Sequence, residues 1–299
     1  MNKIAVVINT FREEANIEEA IKSAKKIADE IVVVDMHSDD KTVEIAKKTG
    51  AKVYLHENTD YVEPARNFAV SKATMPWVFV LDADERIGDA LAKKLKEIAK
   101  NPKADYYTVP RKNVIFGKWM RQSRWWPDYN VRFLKKGHVY WTEKIHGVPQ
   151  TDGAGADLEA KEAYAIEHYH YDNLEQYVSR MNRYTTIQAV NLQDEGYKFR
   201  WQDLVQKPAS EFFSRYFFGK GYKDGLHGLA LSLLQAFSEL VLYLKVWQRQ
   251  GFKKDEIDVT SVIGEVNKVQ KDLNYWKADT LLAEKGGIKN KIKRKLKLH

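Results

Sequence analysis

The sequence predicts an α/β domain built on a mostly parallel sheet, followed by a helical C-terminal region. Three observations carry this. Short apolar runs and helix-like segments alternate four times between Ile4 and Lys100, the order that a parallel sheet with right-handed crossovers requires. The apolar runs are continuous Val and Ile, as in strands buried on both faces. Beyond Tyr171 the pattern becomes long and helical. The predicted boundary separates residues 1–172 from residues 173–299.

Ile4 to Asn9 (IAVVIN) reads as the first strand, and Asn16 with Glu19 as a capping box opening a helix to about Asp29. Ile31 to Asp35 (IVVVD) is the second strand, and Thr42 to Thr49 the second helix, with Gly50 placed to stop it. Lys52 to Leu55 is a third strand and Pro64 to Ala73 a third helix. The apolar run of Trp77 to Arg86 (WVFVLDADER) is the fourth strand, followed by a helix from Asp89 to Lys100. YYTVP, YNVRFL and HVYW, between Asp105 and Tyr171, read as short strands. Trp119, Trp125, Trp126 and Trp141 crowd this region, either as core or as the lining of a cleft that stacks on sugar rings.

Helices are predicted over Leu174 to Asp194, around Glu211 to Phe218, and over Leu226 to Trp247. In the last, Gly228, Ser232, Gln235 and Glu239 make one narrow polar stripe. Glu239, Gln235 and His227 argue against a membrane span, leaving a packed helix or one lying in a membrane interface. Asp258 to Leu282 reads as another helix or two.

The absence of cysteine excludes disulfides and thiolate metal sites and suits a reducing compartment. The opening MNKIAVVINTF lacks signal-peptide character. The net charge is +8, but seven Lys or Arg and no acid follow from Lys285 onward, leaving about +1 (8 − 7) for the rest. The body is therefore not a basic nucleic-acid binder. The cationic tail either meets anionic lipid headgroups or is a disordered end.

Three predicted strands end in polar chemistry: Thr10 to Glu14 after the first, Asp35 on the second, Asp82 and Asp84 on the fourth. Ligands of open α/β sheets bind beyond such ends. Asp82 and Asp84 would share a face if the backbone stayed extended, and two hard oxygens suit Mg or Mn carrying phosphates. A solvated acidic turn is the plainer alternative. No GxGxxG follows the first strand and no GxxxxGK[ST] occurs, so neither a dinucleotide fold nor a P-loop is supported.

Five or six segments in order resemble glycosyltransferase family 2 with the GT-A (Rossmann-like) fold: NTFREEANIEEAI, VVVDMHSDDKTVEIA, EPARNFAV with WVFVLDADER, WWPDYNVRFLKK, EKIHG and IEHYHYDN. The resemblance implies a nucleotide-diphospho-sugar donor, expected to be a UDP-sugar. Thr10 and Glu13 or Glu14 would line the nucleoside pocket, Asp35 would hydrogen-bond the base, and Arg66 would lie by the donor. Asp82 would sit over the ribose, and Asp84 with His168 would hold a divalent metal, Mn or Mg. Many relatives read His-Glu where this chain has His146-Gly147, so the implied general base is Glu143, with Asp128 as the fallback. KPASEFFSRYFFGKGYKDGLHGLALSLLQAF resembles lipopolysaccharide-core glucosyltransferases, implying an inverting enzyme on the inner face of the plasma membrane with a glycolipid or envelope-glycan acceptor. The alternatives are a polyprenyl-phosphate or peptide acceptor, or a non-catalytic nucleotide-sugar-binding scaffold. No nucleic-acid partner is expected.

Overall fold

The computed structural model describes residues 3–58, 63–142 and 149–297. The chain forms two compact units, one of residues 1–115 and 126–170, the other of residues 116–125 and 171–299.

The first unit is a mixed sheet with helices on both faces. Strand β1 (Ile4–Thr10) pairs in parallel with β2 (Glu30–Asp35) and β4 (Trp77–Asp82), and β2 with β3 (Lys52–Leu55). The strand Asp128–Lys135 joins antiparallel to β4 and to β6 (Tyr106–Ile115). Ile4, Val6 and Ile8 enter one apolar cluster with Ile17 and Ile21 of α1 (Ile17–Ala24), Ala46 of α2 (Thr42–Lys48) and Leu91 and Leu95 of α4 (Asp89–Lys100). Ala5 and Val7 enter the opposite cluster with Ala65 and Ala69 of α3 (Glu63–Lys72). Both strand faces are thus buried, which is why the runs are continuously apolar. Trp141 belongs to this second cluster, whereas Trp119, Trp125 and Trp126 are half-buried.

Three details depart from the sequence reading. Helix α1 stops at Ala24, because Ile27 N donates to Ala24 O at 3.0 Å in a tight turn. That turn buries Ile27 and brings Asp29 N onto Ile4 O at 2.8 Å, which starts β2 in register. Asn16 does not cap α1 with its side chain; its Nδ2 donates to Glu13 Oε2 at 2.8 Å. Asp82 and Asp84 do not lie on one extended face, since the chain turns at Ala83 and Asp84 and enters a further strand, β5 (Glu85–Ile87).

The second unit is helical: α5 (Leu174–Asp194), α6 (Asp203–Phe213), a wide turn (Ser214–Phe218), α7 (Gly225–Arg249), α8 (Val259–Lys285) and α9 (Ile288–Leu296). The stretch Gly221–Arg249 is long and apolar enough to cross a membrane by length and composition. Its polar stripe has partners within the unit. A Cβ on Gly228 would stand 1.8 Å from the Gly221 carbonyl, so only glycine fits there. Gln235 accepts from Arg215 Nη2 at 3.1 Å and donates to Tyr177 Oη at 2.8 Å. The 116–125 segment is tied down by Asp224, whose Oδ2 accepts from Arg121 N at 3.1 Å and Gln122 N at 2.8 Å. The basic tail is not a bare extension, because its residues 288–296 form α9.

Candidate active site

The parallel register sets the strand ends side by side: Thr10 lies opposite Asp35, and Asn9 opposite Asp82. The loops after β1 and β2 clasp each other. Arg12 N donates to Ser38 Oγ at 2.7 Å, Glu13 N to Thr42 Oγ1 at 2.8 Å, and Lys41 N to Glu14 Oε2 at 3.0 Å. Arg12 and His37 take left-handed backbone conformations to make these turns. Asp35 is fully buried, and its two oxygens accept from Ser38 N at 2.8 Å and Ser38 Oγ at 2.6 Å. Thr10 is also buried, with its hydroxyl unpartnered among the described residues.

Behind these ends lies a network of guanidiniums and carboxylates. Arg66 Nη2, on α3, donates to both oxygens of Asp82 at 3.0 and 3.1 Å. Arg132, from the strand Asp128–Lys135, is 1% exposed and bridges Asp82 at 2.7 Å to the fully buried Glu85 at 2.6 Å. Burial opposes ionisation of Asp82, but the Arg132 and Arg66 charges overcome it and hold the carboxyl well below the usual carboxylate range. The same pairing keeps the buried Arg132 charged, its proton held more tightly than usual by Asp82 and Glu85. Arg132 Nε and Nη1 and Arg66 Nε are buried without a partner among the described residues. Arg86 closes the turn by donating to the carbonyls of Ala83 and Glu85, both at 2.8 Å, and of Asn16 at 3.1 Å.

Asp84 faces elsewhere. Strand β5 pairs antiparallel with Ile166–Tyr171, setting His168 opposite Glu85. Tyr169 N donates to Asp84 O at 2.9 Å, and His168 Nε2 stands 3.5 Å from Asp84 Oδ2. The tautomer follows from the neighbours. Asn113 Nδ2 donates to Asp128 Oδ2 at 3.1 Å, turning Asn113 Oδ1 toward His168 Nδ1 at 2.6 Å. His168 Nδ1 is therefore the donor, and a neutral imidazole presents the Nε2 lone pair toward Asp84.

A carboxylate oxygen and an imidazole nitrogen this close fit one divalent cation: donors bound at about 2.1 Å in adjacent octahedral positions stand roughly 3 Å apart. No group of three or more His, Asp or Glu able to hold a metal occurs among the described residues. Among the described residues, Asp84 and His168 are the pair of donors that could take part in such a site.

Asp128 is held by Arg111, whose Nη2 and Nε donate to its Oδ2 at 2.6 and 2.9 Å, and by the Asn113 amide. Burial would raise its pKa, but the Arg111 charge and these hydrogen bonds keep it below the ordinary value. Glu143 and the His146-Gly147 pair lie outside the described residues.

Sequence reasoning missed Arg132, Glu85 and Arg86 as parts of the site. The available signal was an arginine inside the apolar run of YNVRFL, since a buried guanidinium demands carboxylate partners.

Residues 5–153 match glycosyl transferase family 2. The chain is 30% identical over 256 residues to an uncharacterized glycosyltransferase of Rickettsia typhi, covering 82% of this chain and 87% of that one. It is 25% identical over 259 residues to the lipopolysaccharide core biosynthesis glycosyltransferase LpsC of Rhizobium meliloti, covering 84% and 94%. Among solved structures it resembles S. aureus TarS in complex with UDP, at 17% identity and a TM-score of 0.46, covering 86% of this chain and 94% of that one.

Proposed function

The chain belongs to glycosyl transferase family 2, and from that premise we propose that it moves a sugar from a UDP-sugar to a lipid-linked or envelope-glycan acceptor with inversion at the anomeric carbon. Likeness to LpsC over 84% of the chain supports an acceptor of the lipopolysaccharide-core type. The same likeness, with the exposed Leu226, Leu233 and Phe237 on α7, supports work at the cytoplasmic face of a membrane.

Thr10, Glu13, Glu14 and Asp35 line the nucleoside pocket at the ends of β1 and β2, and Asp82 takes the ribose. Arg66, bound to Asp82 with a further N–H unsatisfied, is the donor-side cation. Asp84 and His168 would hold a divalent metal, Mn or Mg, and its charge would neutralise the leaving diphosphate. Asp82 is a poor ligand for it, because two guanidiniums already occupy its oxygens. Glu143 takes the proton of the acceptor hydroxyl as its oxygen bonds to the anomeric carbon and the bond to the diphosphate breaks. Asp128 does not suit that step, since Arg111 and Asn113 stabilise its ionised form and so lower its basicity.

The observation that carries this reading is the approach of His168 Nε2 to Asp84 beside the donor-side strand ends. The test is release of nucleoside diphosphate from a panel of nucleotide sugars with Mn present. UDP-sugar turnover is expected, with loss of about a hundredfold or more in Asp84→Ala. Undiminished release by that variant removes the metal role of Asp84.

A further inference from the structure

Helix α9 is attached by its polar side. Arg294 Nη1 pairs with Asp279 Oδ1 on α8 at 2.9 Å, and Lys297 Nζ, just past the helix, with Asp272 Oδ1 at 2.8 Å. Asn290 Nδ2 donates to Gly286 O at 2.8 Å. Residues two apart on a helix point about 200° apart, so Ile288, Ile292 and Leu296 lie across the helix from Asn290 and Arg294. They are 78%, 51% and 58% exposed, and their spacing of four makes one stripe. Lys289 and Lys293 flank that stripe on one side and Lys291 and Lys295 on the other, about 60° to 100° from its centre. An ordinary surface helix turns its apolar stripe toward the protein. Here ion pairs face α8 and the apolar stripe faces out.

We propose that this outer face of α9 seats on an anionic phospholipid surface, with Ile288, Ile292 and Leu296 at the acyl boundary and the flanking lysines on headgroup phosphates. Charge decides the occupant. From Lys285 onward there are seven basic residues and no acid, the pattern that partitions to anionic lipid. A second copy meeting through the same face would oppose two sets of lysines, which repels. Three apolar side chains insert shallowly, so binding is reversible and salt-dependent. The inference deepens the membrane placement proposed above and rests on it.

The test is flotation of the full chain with phosphatidylcholine vesicles with and without phosphatidylglycerol, with no donor or acceptor present. Flotation is expected only with phosphatidylglycerol, and it should fall as salt is raised. Ile292→Ser with Leu296→Ser should reduce the bound fraction at unchanged charge. Lys289→Gln with Lys295→Gln, both exposed, should weaken partitioning about 25-fold, since each lysine near an anionic surface contributes about fivefold (~1 kcal/mol). Thermal melts of both variants should match the parent, because these side chains point away from α8. Equal binding to neutral vesicles, no flotation, or variants that float like the parent would overturn the proposal. Self-association lost in the apolar variant, without flotation, would instead assign the face to a second copy. Transfer that persists to a soluble acceptor while flotation fails leaves the transferase reading intact. Flotation without transfer does the reverse.

Discussion

His168 owes its orientation to a chain of three side chains that begins at Arg111. The guanidinium holds Asp128, Asp128 fixes the Asn113 amide, and the amide oxygen accepts from His168 Nδ1. Outer partners of this kind set tautomer and ring direction and change metal affinity without touching the metal. Asn113→Ala should therefore weaken Mn binding about 10- to 100-fold by calorimetry, with UDP present and no sugar turnover to confuse the readout. Unchanged affinity would reduce Asn113 to a packing residue. Asp84 and Asp82 were legible as a pair, because two acids at a strand end stand out against the apolar run WVFVL. Their division was not legible. It depends on Arg132, which arrives from a strand some fifty positions away and bridges Asp82 to Glu85.

At the scale of elements, α7 joins an exposed apolar side to a polar stripe with partners inside its unit. Glu239 is the strained member of that stripe, its carboxyl pushed up by burial and then by neighbouring Glu211. A carboxyl whose folded pKa is raised contributes stability fully present below its ordinary value near 4.5, and that stability is lost as pH rises through the folded value. Glu239→Gln should thus raise stability at pH 7 relative to the parent and give little gain at pH 4. Denaturant midpoints at the two pH values check this, and an equal gain at both would make the effect one of packing. The strands β1, β2 and β4 could be read because burial on both faces writes itself as an unbroken apolar run. Strand β5 could not. Its three residues Glu85, Arg86 and Ile87 include two charges, and they are strand only because Ile166–His168 and Arg132 meet them from far along the chain. Helix α9 was hidden for a related reason, since a lysine-rich end reads as solvated until Asp272 and Asp279 supply partners.

At the scale of the whole molecule, the chain is not divided by a single cut. Residues 116–125 belong to the helical unit although they interrupt the sequence of the first. Asp224 holds the amides of Arg121 and Gln122, Gly219 O accepts from Ser123 N at 2.7 Å, and Glu211 pairs with Arg124 at 3.0 Å. We propose that residues 1–172 carry the donor and catalytic chemistry, yet a fragment ending there keeps 116–125 and loses every one of these partners. Limited trypsin digestion should cut the fragment at Lys118, Arg121 or Arg124 and spare those bonds in the full chain. Identical digestion patterns would show that the helical unit does not protect the segment.

The antiparallel pairing of β5 with Ile166–Tyr171 also sets an order of events during synthesis. Asp84 is made early, but its imidazole neighbour emerges only after both the strand Asp128–Lys135 and the 116–125 segment. Closing so long a loop comes late in folding. A nascent or truncated chain thus presents Thr10 and Asp35 at the ends of β1 and β2 before the Asp84–His168 pair exists; under the roles proposed above, an unfinished molecule could meet a donor without being equipped to split it.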